Sequence, residues 1–174
     1  MPVYRFEGRE PEIAAGAWVF PGAVIIGKVI IGENAYVGAG AILRGDYGTI
    51  IIGDGTAIEE GVIVHARPGD KTVFGKRVTV GHGAMIHNAT VGDSAVLGMR
   101  CTVSDYAKVG EWCIIGEGAL VKNGQEIPAG KVAVGVPARI KGDVEDKHRQ
   151  LWGLAKELYI DLTKRYPKGL EQIG

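Results

Sequence analysis

Residues 80–98 read VGHGAMIHNATVGDSAVLG, and the aliphatics that open its short units, Val80, Ile86, Val91 and Leu97, stand six, five and six residues apart. A helical face would need apolar residues about every 3.6 positions, so this spacing is not that of a helix. Followed outward, the series continues through Phe20, Ile26, Ile31, Val37, Leu43, Ile52, Ile58, Val64 and Phe74 on one side. On the other it continues through Val103, Val109, Ile115, Val121 and Ile127. Most steps are six residues, and two, Leu43 to Ile52 and Val64 to Phe74, are longer. A period of six marks a parallel β-helix, in which each short strand buries one aliphatic and then turns. A β-sandwich also has short strands but lacks the fixed period.

Three such units close one triangular coil, and successive coils pair through backbone hydrogen bonds at about 4.8 Å per coil. The inward aliphatics then stack in columns and form a quasi-one-dimensional core. Gly32-Glu33-Asn34 and Gly92-Asp93 supply the residues that corners tolerate. The longer steps are expected as loops leaving the coil at RGDYGT (44–49) and ARPGDK (66–71). The fold expected is an all-β solenoid over about 11–139, ending near Pro137, with a C-terminal amphipathic helix over about 143–166, in a single domain of residues 1–174. Asp143 is the expected N-cap, Leu151, Leu154, Ala155, Leu158 and Leu162 the apolar face, and Pro167-Lys168-Gly169 the stop.

Composition narrows the function. Lys plus Arg and Asp plus Glu number 20 each, which argues against a nucleic-acid binder or a polybasic membrane protein. The opening MPVYRFEGREPEIA carries charges where a signal peptide needs an apolar run. No apolar run of about 18 residues offers a transmembrane helix. Cys101 and Cys113 lack CxxC spacing and read as free thiols in a reducing compartment. A cytoplasmic protein is the expectation. The 28 glycines show no G-x-y period and accompany abundant aliphatics, so neither collagen nor disorder accounts for them.

Assigning the aliphatics in turn to three columns sharpens the reading. The column holding Ile26, Leu43, Val64, Ile86, Val103 and Val121 is followed by Gly27, Arg44, His65, His87, Ser104 and Lys122. The repeat's glycine is thus replaced mainly along one edge. Arg44, His65 and His87 fall at equivalent outward positions on consecutive coils. His65 and His87 should stand one coil apart, close enough to share an ion with Zn–N bonds of about 2.0–2.1 Å. His82, two positions after Val80, belongs to another column and is expected to reach the same ion from a neighbouring subunit. A cyclic homotrimer would close that arrangement. An isolated histidine is most often a solvated corner residue, and His148 on the expected helix is read that way. Two histidines in one column, in place of the repeat glycine, make the metal reading the stronger one for His65, His82 and His87.

The segments Arg44-Gly45-Asp46, IEEGVIVH ending at His65, VGHGAMIH spanning His82 and His87, and VGVPAR around Pro137 resemble the γ-class carbonic anhydrases and their homologues. The resemblance covers nearly the whole chain. It implies a left-handed β-helix, against the usual right-handed crossover, and a trimer whose metal takes two histidines from one subunit and one from the next. It also implies that Arg44 and Asp46 support the site and the interface, with a purely structural ion pair as the alternative. Glu59 stands where the family commonly has glutamine near the metal-bound water, Tyr159 resembles a helix tyrosine near the site, and Asp161 replaces an asparagine found in some members. The long acidic loop with a proton-shuttling glutamate, present in the best-known members, is missing after Leu43.

The chemistry the resemblance implies is reversible hydration of CO2 to bicarbonate, with zinc as the default ion and iron(II) or cobalt(II) also suited to three imidazoles. Glu59 and Tyr159 are the candidates for orienting water or substrate. Two rivals use the same fold. One is an acyltransferase of the hexapeptide group, or a metal-dependent thioesterase, with one histidine as general base. The other is a metal-bearing assembly subunit with little activity.

Overall fold

In a computed structural model, which describes residues 2–174, most six-residue units become a short strand followed by a turn, wound as a left-handed parallel β-helix. Backbone pairing joins each strand to the strand three units on, so the coil has three faces. On the first face Ile25, Leu43, Val64, Ile86, Val103 and Val121 pair in register. On the second, Ile31, Ile52, Phe74, Val91, Val109 and Ile127 do so. On the third the row is Val19, Val37, Ile58, Val80, Leu97, Ile115 and Ala133. All are buried, and each large member contributes roughly 1.5–3 kcal/mol over an exposed position.

Two positions differ from the periodic reading. Val19, not Phe20, and Ile25, not Ile26, occupy the core columns. Hydrophobicity could not choose between adjacent apolar residues; strand alternation does, and it turns Ile26 outward into register with Arg44. Small residues line the corners beside the columns. Cys101 shares such a corner with Ala84 and Ala119, and Cys113 with Ala95, which explains two buried free cysteines. Burial pushes the Cys101 thiol up to about 12, so it is an inert packing group.

RGDYGT does not leave the coil. It continues the strand Ile42–Ile52, which bends around a corner and stays paired with Val24–Ile31, the register shifting between Gly27 and Val29. Gly45 is required there, because a Cβ would collide with the Lys28 carbonyl oxygen. ARPGDK does form a turn, at Pro68-Gly69, before the strand Lys71–Phe74.

The last parallel rung is Lys131–Val134. The chain then reverses through residues 135–138 into the antiparallel strand Arg139–Asp143. Asp143 is therefore a strand residue, its carboxylate paired with Lys131, and not the helix N-cap. The helix spans Asp146–Gly169 with Glu145 as N-cap. His148, expected only to be solvated, accepts the Glu145 N–H on its Nδ1 at 3.0 Å and helps cap the first turn. Pro167 lies inside the last turn.

The helix docks on the third face by a different side from the one expected. Leu151, Leu154 and Leu158 are 63–70% exposed. The docked face carries Trp152, Lys156, Tyr159, Thr163 and Tyr166. Tyr166 stacks on Trp18 (5.6 Å between centroids) and meets Phe20 edge-on (6.2 Å), while Tyr159 lies against Tyr36 (5.1 Å). Toward its C-terminal half the helix meets the rings of Trp18, Phe20 and Tyr36 and the Thr79 hydroxyl, while Trp152 stands over Val96 and Ile114, so aromatic and polar helix residues match the coil surface. No helix of the described residues is long and apolar enough to cross a membrane.

Candidate functional site

Two clusters of functional side chains form, on different faces of the coil. The first follows the row Arg44, His65 and His87, which pair in register on consecutive coils as the periodicity predicts. His65 Nδ1 and His87 Nε2 face each other across 3.0 Å. The far nitrogen of His65, Nε2, lies 3.0 Å from Asp46 Oδ1, and that of His87, Nδ1, lies 2.5 Å from Asp105 Oδ1. Arg44 donates to Asp46 Oδ2 at 2.6 Å, and Arg67 donates to both Asp105 oxygens at 3.0 and 2.7 Å. The result is a string in which an arginine orients each aspartate and each aspartate orients a histidine.

The charges follow from these contacts. Burial acts to raise the Asp46 carboxyl, but hydrogen bonds from Arg44 and then His65 outweigh it, leaving it below the usual carboxylate range. The Arg67 guanidinium, foremost, holds Asp105 down at about 2. Burial lowers the His65 imidazole and so favours its neutral form. With each aspartate taking a ring N–H, the two facing nitrogens present lone pairs to one another. Such a pair needs a positive charge between or on them. A single proton shared between the rings accounts for the 3.0 Å separation. Two imidazoles on one tetrahedral ion with bonds of about 2.0–2.1 Å would stand slightly wider, roughly 3.3 Å apart, so a small opening would let the pair act as half of a divalent metal site. Carboxylates behind the ligand histidines are the usual support of such a site.

The second cluster lies on the third face, in turns beside the helix. His82 Nδ1 is 2.7 Å from Glu60 Oε2, and its Nε2 is 3.0 Å from Glu59 Oε2. The His82 backbone N–H also donates to Glu59 at 3.2 Å, and Tyr36 donates its hydroxyl proton to Glu60 at 2.7 Å. The Tyr159 hydroxyl faces the Glu59 carboxyl, and burial, helped by that carboxylate, raises the phenol so that it keeps its proton. Burial likewise raises Glu59, which is 5% exposed. Glu59, His82 and Tyr159 head a groove of about 440 Å³ between the third face and the helix, lined beyond the head mainly by Val96, Met99, Ile114 and Trp152.

Within one chain, then, the structure unites Arg44, Asp46, His65 and His87, and separately unites Glu59, His82 and Tyr159. It does not bring His82 to the other two histidines. Among the described residues no group of three or more His, Cys, Asp or Glu converges as a metal would need. Asp161 is exposed and pairs with Arg165 at 3.4 Å.

Sequence reasoning missed Asp105, Arg67 and Glu60. The signal for Glu60 was present: it and His82 each stand two positions after paired third-face residues, Ile58 and Val80, so register places one beneath the other. Asp105 lies one coil beyond His87, two residues after Val103, which pairs with Ile86. Arg67 sits in an irregular turn, where the period says nothing.

The family model for bacterial transferase hexapeptide (six repeats) matches residues 10–45. The chain is 37% identical, over 172 residues, to the carnitine operon protein CaiE of Salmonella agona (strain SL483), covering 99% of this chain and 87% of that one. A solved hexapeptide transferase family protein from Anaplasma phagocytophilum superposes with a TM-score of 0.91 at 33% identity, over 95% of this chain and 98% of that one. Perosamine N-acetyltransferase from Caulobacter crescentus, solved as a histidine-to-asparagine mutant in complex with CoA and GDP-perosamine, matches at 29% identity and a TM-score of 0.57. That match covers 76% of this chain and 57% of the other.

Proposed function

This chain belongs to the γ-class carbonic anhydrase-like family of hexapeptide-repeat proteins, and on that premise we propose that it is an acyl-transfer enzyme that opens an acyl thioester at the head of the helix-side groove. The observation that carries the reading is His82, gripped by two glutamates where an apolar groove ends. Glu60 accepts the Nδ1 proton, and Glu59, whose burial favours the neutral carboxyl, covers Nε2 at 3.0 Å until a substrate takes its place and meets Nε2 as the basic nitrogen. An attacking amine, alcohol or water gives its proton to Nε2 as it adds to the thioester carbonyl. The carbon–sulfur bond then breaks, and the departing thiolate takes that proton back. Tyr159, which keeps its hydroxyl proton and directs it at Glu59, can turn it to the carbonyl oxygen once the substrate displaces that carboxyl. The likeness to an acetyltransferase solved with CoA supports a thioester donor.

The test is thiol release from acyl-CoA donors, with and without amine acceptors. His82→Ala should lower turnover by about 10²–10⁴-fold, the usual worth of a positioned base; unchanged turnover removes His82 from the chemistry.

The His65–His87 geometry favours a second reading, reversible CO2 hydration in a cytoplasmic homotrimer. A zinc, iron(II) or cobalt(II) ion held by His65 and His87, with His82 of a neighbouring subunit, would supply Lewis-acid activation of water or of a carbonyl. Stopped-flow CO2 hydration that follows metal content and vanishes in His87→Ala would favour this reading. A metal-loaded protein with no rate above buffer would leave acyl transfer as the function.

A further inference from the structure

The helix-side groove has a definite length and lining, and both bear on which acyl group it accepts. Its head is Glu59, His82 and Tyr159, and its far end is Ile114 and Glu117. Thr79, Val96 and Ile114 pair in register on three successive coils, so the groove crosses two coil spacings, about 10 Å. Gly98 and Gly116 leave its floor without side chains. Coil stacking itself imposes the first of these, since a Cβ on Gly98 would lie 2.6 Å from the Glu117 nitrogen. The wall is the Trp152 side of the helix.

The lining discriminates between two parts of an acyl thioester. A pantetheine arm carries amides that need partners when removed from water. The neighbouring strand N–H groups are already used: Val96 N–H donates to Cys113 at 2.8 Å and Gly98 N–H to Ile115 at 2.8 Å. Lys156, beside the groove, is committed to Thr79 Oγ1 at 3.0 Å and the Ala95 carbonyl at 3.4 Å. The Glu117 carboxylate at the far end offers no donor and repels phosphates, and the Trp152 indole N–H is one donor against the several polar groups of the arm. A hydrocarbon chain asks nothing of these groups and gains from Val96, Met99, Ile114 and Trp152.

We infer that the groove holds the acyl chain of the donor, unbranched and apolar, of about eight carbons, so that the enzyme prefers medium-chain thioesters to acetyl. An extended chain advances about 1.2 Å per bond, since a three-bond peptide unit spans about 3.3–3.6 Å. Some eight bonds therefore fill the groove. The inference rests on the acyl-transfer reading above and assigns that site its substrate class.

The experiment is kcat/KM for thiol release from saturated acyl-CoA donors of even chain length from two to fourteen carbons, with the full-length protein. The expected result is a rise of roughly threefold to fourfold for each added methylene, as burial of one methylene predicts, levelling near eight carbons. Met99→Trp, at a partly exposed position that tolerates bulk, should move the optimum to shorter donors. Turnover that is flat with length, or greatest with acetyl, overturns the chain-length inference and leaves the acyl-transfer reading standing. No thiol release from any donor overturns both.

Discussion

His65 Nδ1 and His87 Nε2 approach to 3.0 Å although the residues are 22 apart in sequence, and each ring is anchored from behind by its own aspartate. The anchors matter because an imidazole free to exchange tautomers would present N–H to its neighbour half of the time. With Asp46 and Asp105 as acceptors, both rings aim lone pairs at one point. If the pair takes a metal ion, as the second reading has it, Asp105→Asn should weaken zinc binding by about 10–100-fold, the usual effect of removing such a support. Chelator competition measures it, and unchanged affinity would show that the aspartate does not orient the ring toward a metal.

His82 should separate the two readings. If a metal is shared between subunits, His82→Ala lowers metal content and sedimentation shows a trimer in the parent protein. A monomer at micromolar concentration, or full metal retention in the variant, excludes the shared site.

The two glutamates around His82 are expected to behave differently. Glu60→Gln removes the charged acceptor of the Nδ1 proton and should lower kcat more than it raises KM, because it acts through the histidine. Glu59→Gln keeps the shape of a residue 5% exposed and should change turnover with little change in stability. Turnover at the parent's level in both variants would remove the pair from the mechanism.

Lys156 is buried, and burial, with Arg77 as the lesser cause, pushes its ammonium down to about 7 from the ordinary 10.5. Between those values the unfolded chain holds a proton that the folded chain does not. Folding stability should then rise with pH, by up to about 1.4 kcal/mol per unit for this one group. Lys156→Met should abolish that rise and stabilise the protein most at the acidic end of the window. Urea unfolding at several pH values tests it, and parallel curves for parent and variant would contradict it.

The helix offers a paired comparison. Tyr166→Ala removes a ring packed on Trp18, Phe20 and Tyr36 and should cost about 3–5 kcal/mol. Leu154→Ser changes a side chain 70% exposed in the single chain and should shift the stability of that chain within about 0.5 kcal/mol. Equal losses measured at low protein concentration would mean that the docked face is wrongly assigned.

The first cluster was the more legible in sequence because a β-helix converts sequence spacing directly into spatial register. Once Leu43, Val64 and Ile86 are known to stack, Arg44, His65 and His87 must stack beside them. Glu60 beneath His82 was open to the same arithmetic. Arg67 was not, since it lies where the chain departs from the period at residues 66–70.

What the sequence determined by itself was the solenoid, its three core columns and the stacking of one histidine pair, because each follows from local strand formation repeated in register. What only the tertiary structure decided was how the C-terminal helix sits and what it creates. The helix carries a leucine side and an aromatic side, and hydrophobicity alone selects the leucines. The coil face shows the rings of Trp18 and Tyr36 and the Thr79 hydroxyl outward, with Val96 and Ile114 beyond them, so complementarity selects Tyr166, Tyr159, Lys156 and Trp152. That docking brings Tyr159 to Glu59 and Lys156 to Thr79 and closes the groove beyond His82, the second pair alone being 77 residues apart, a separation over which no short-range pattern carries information.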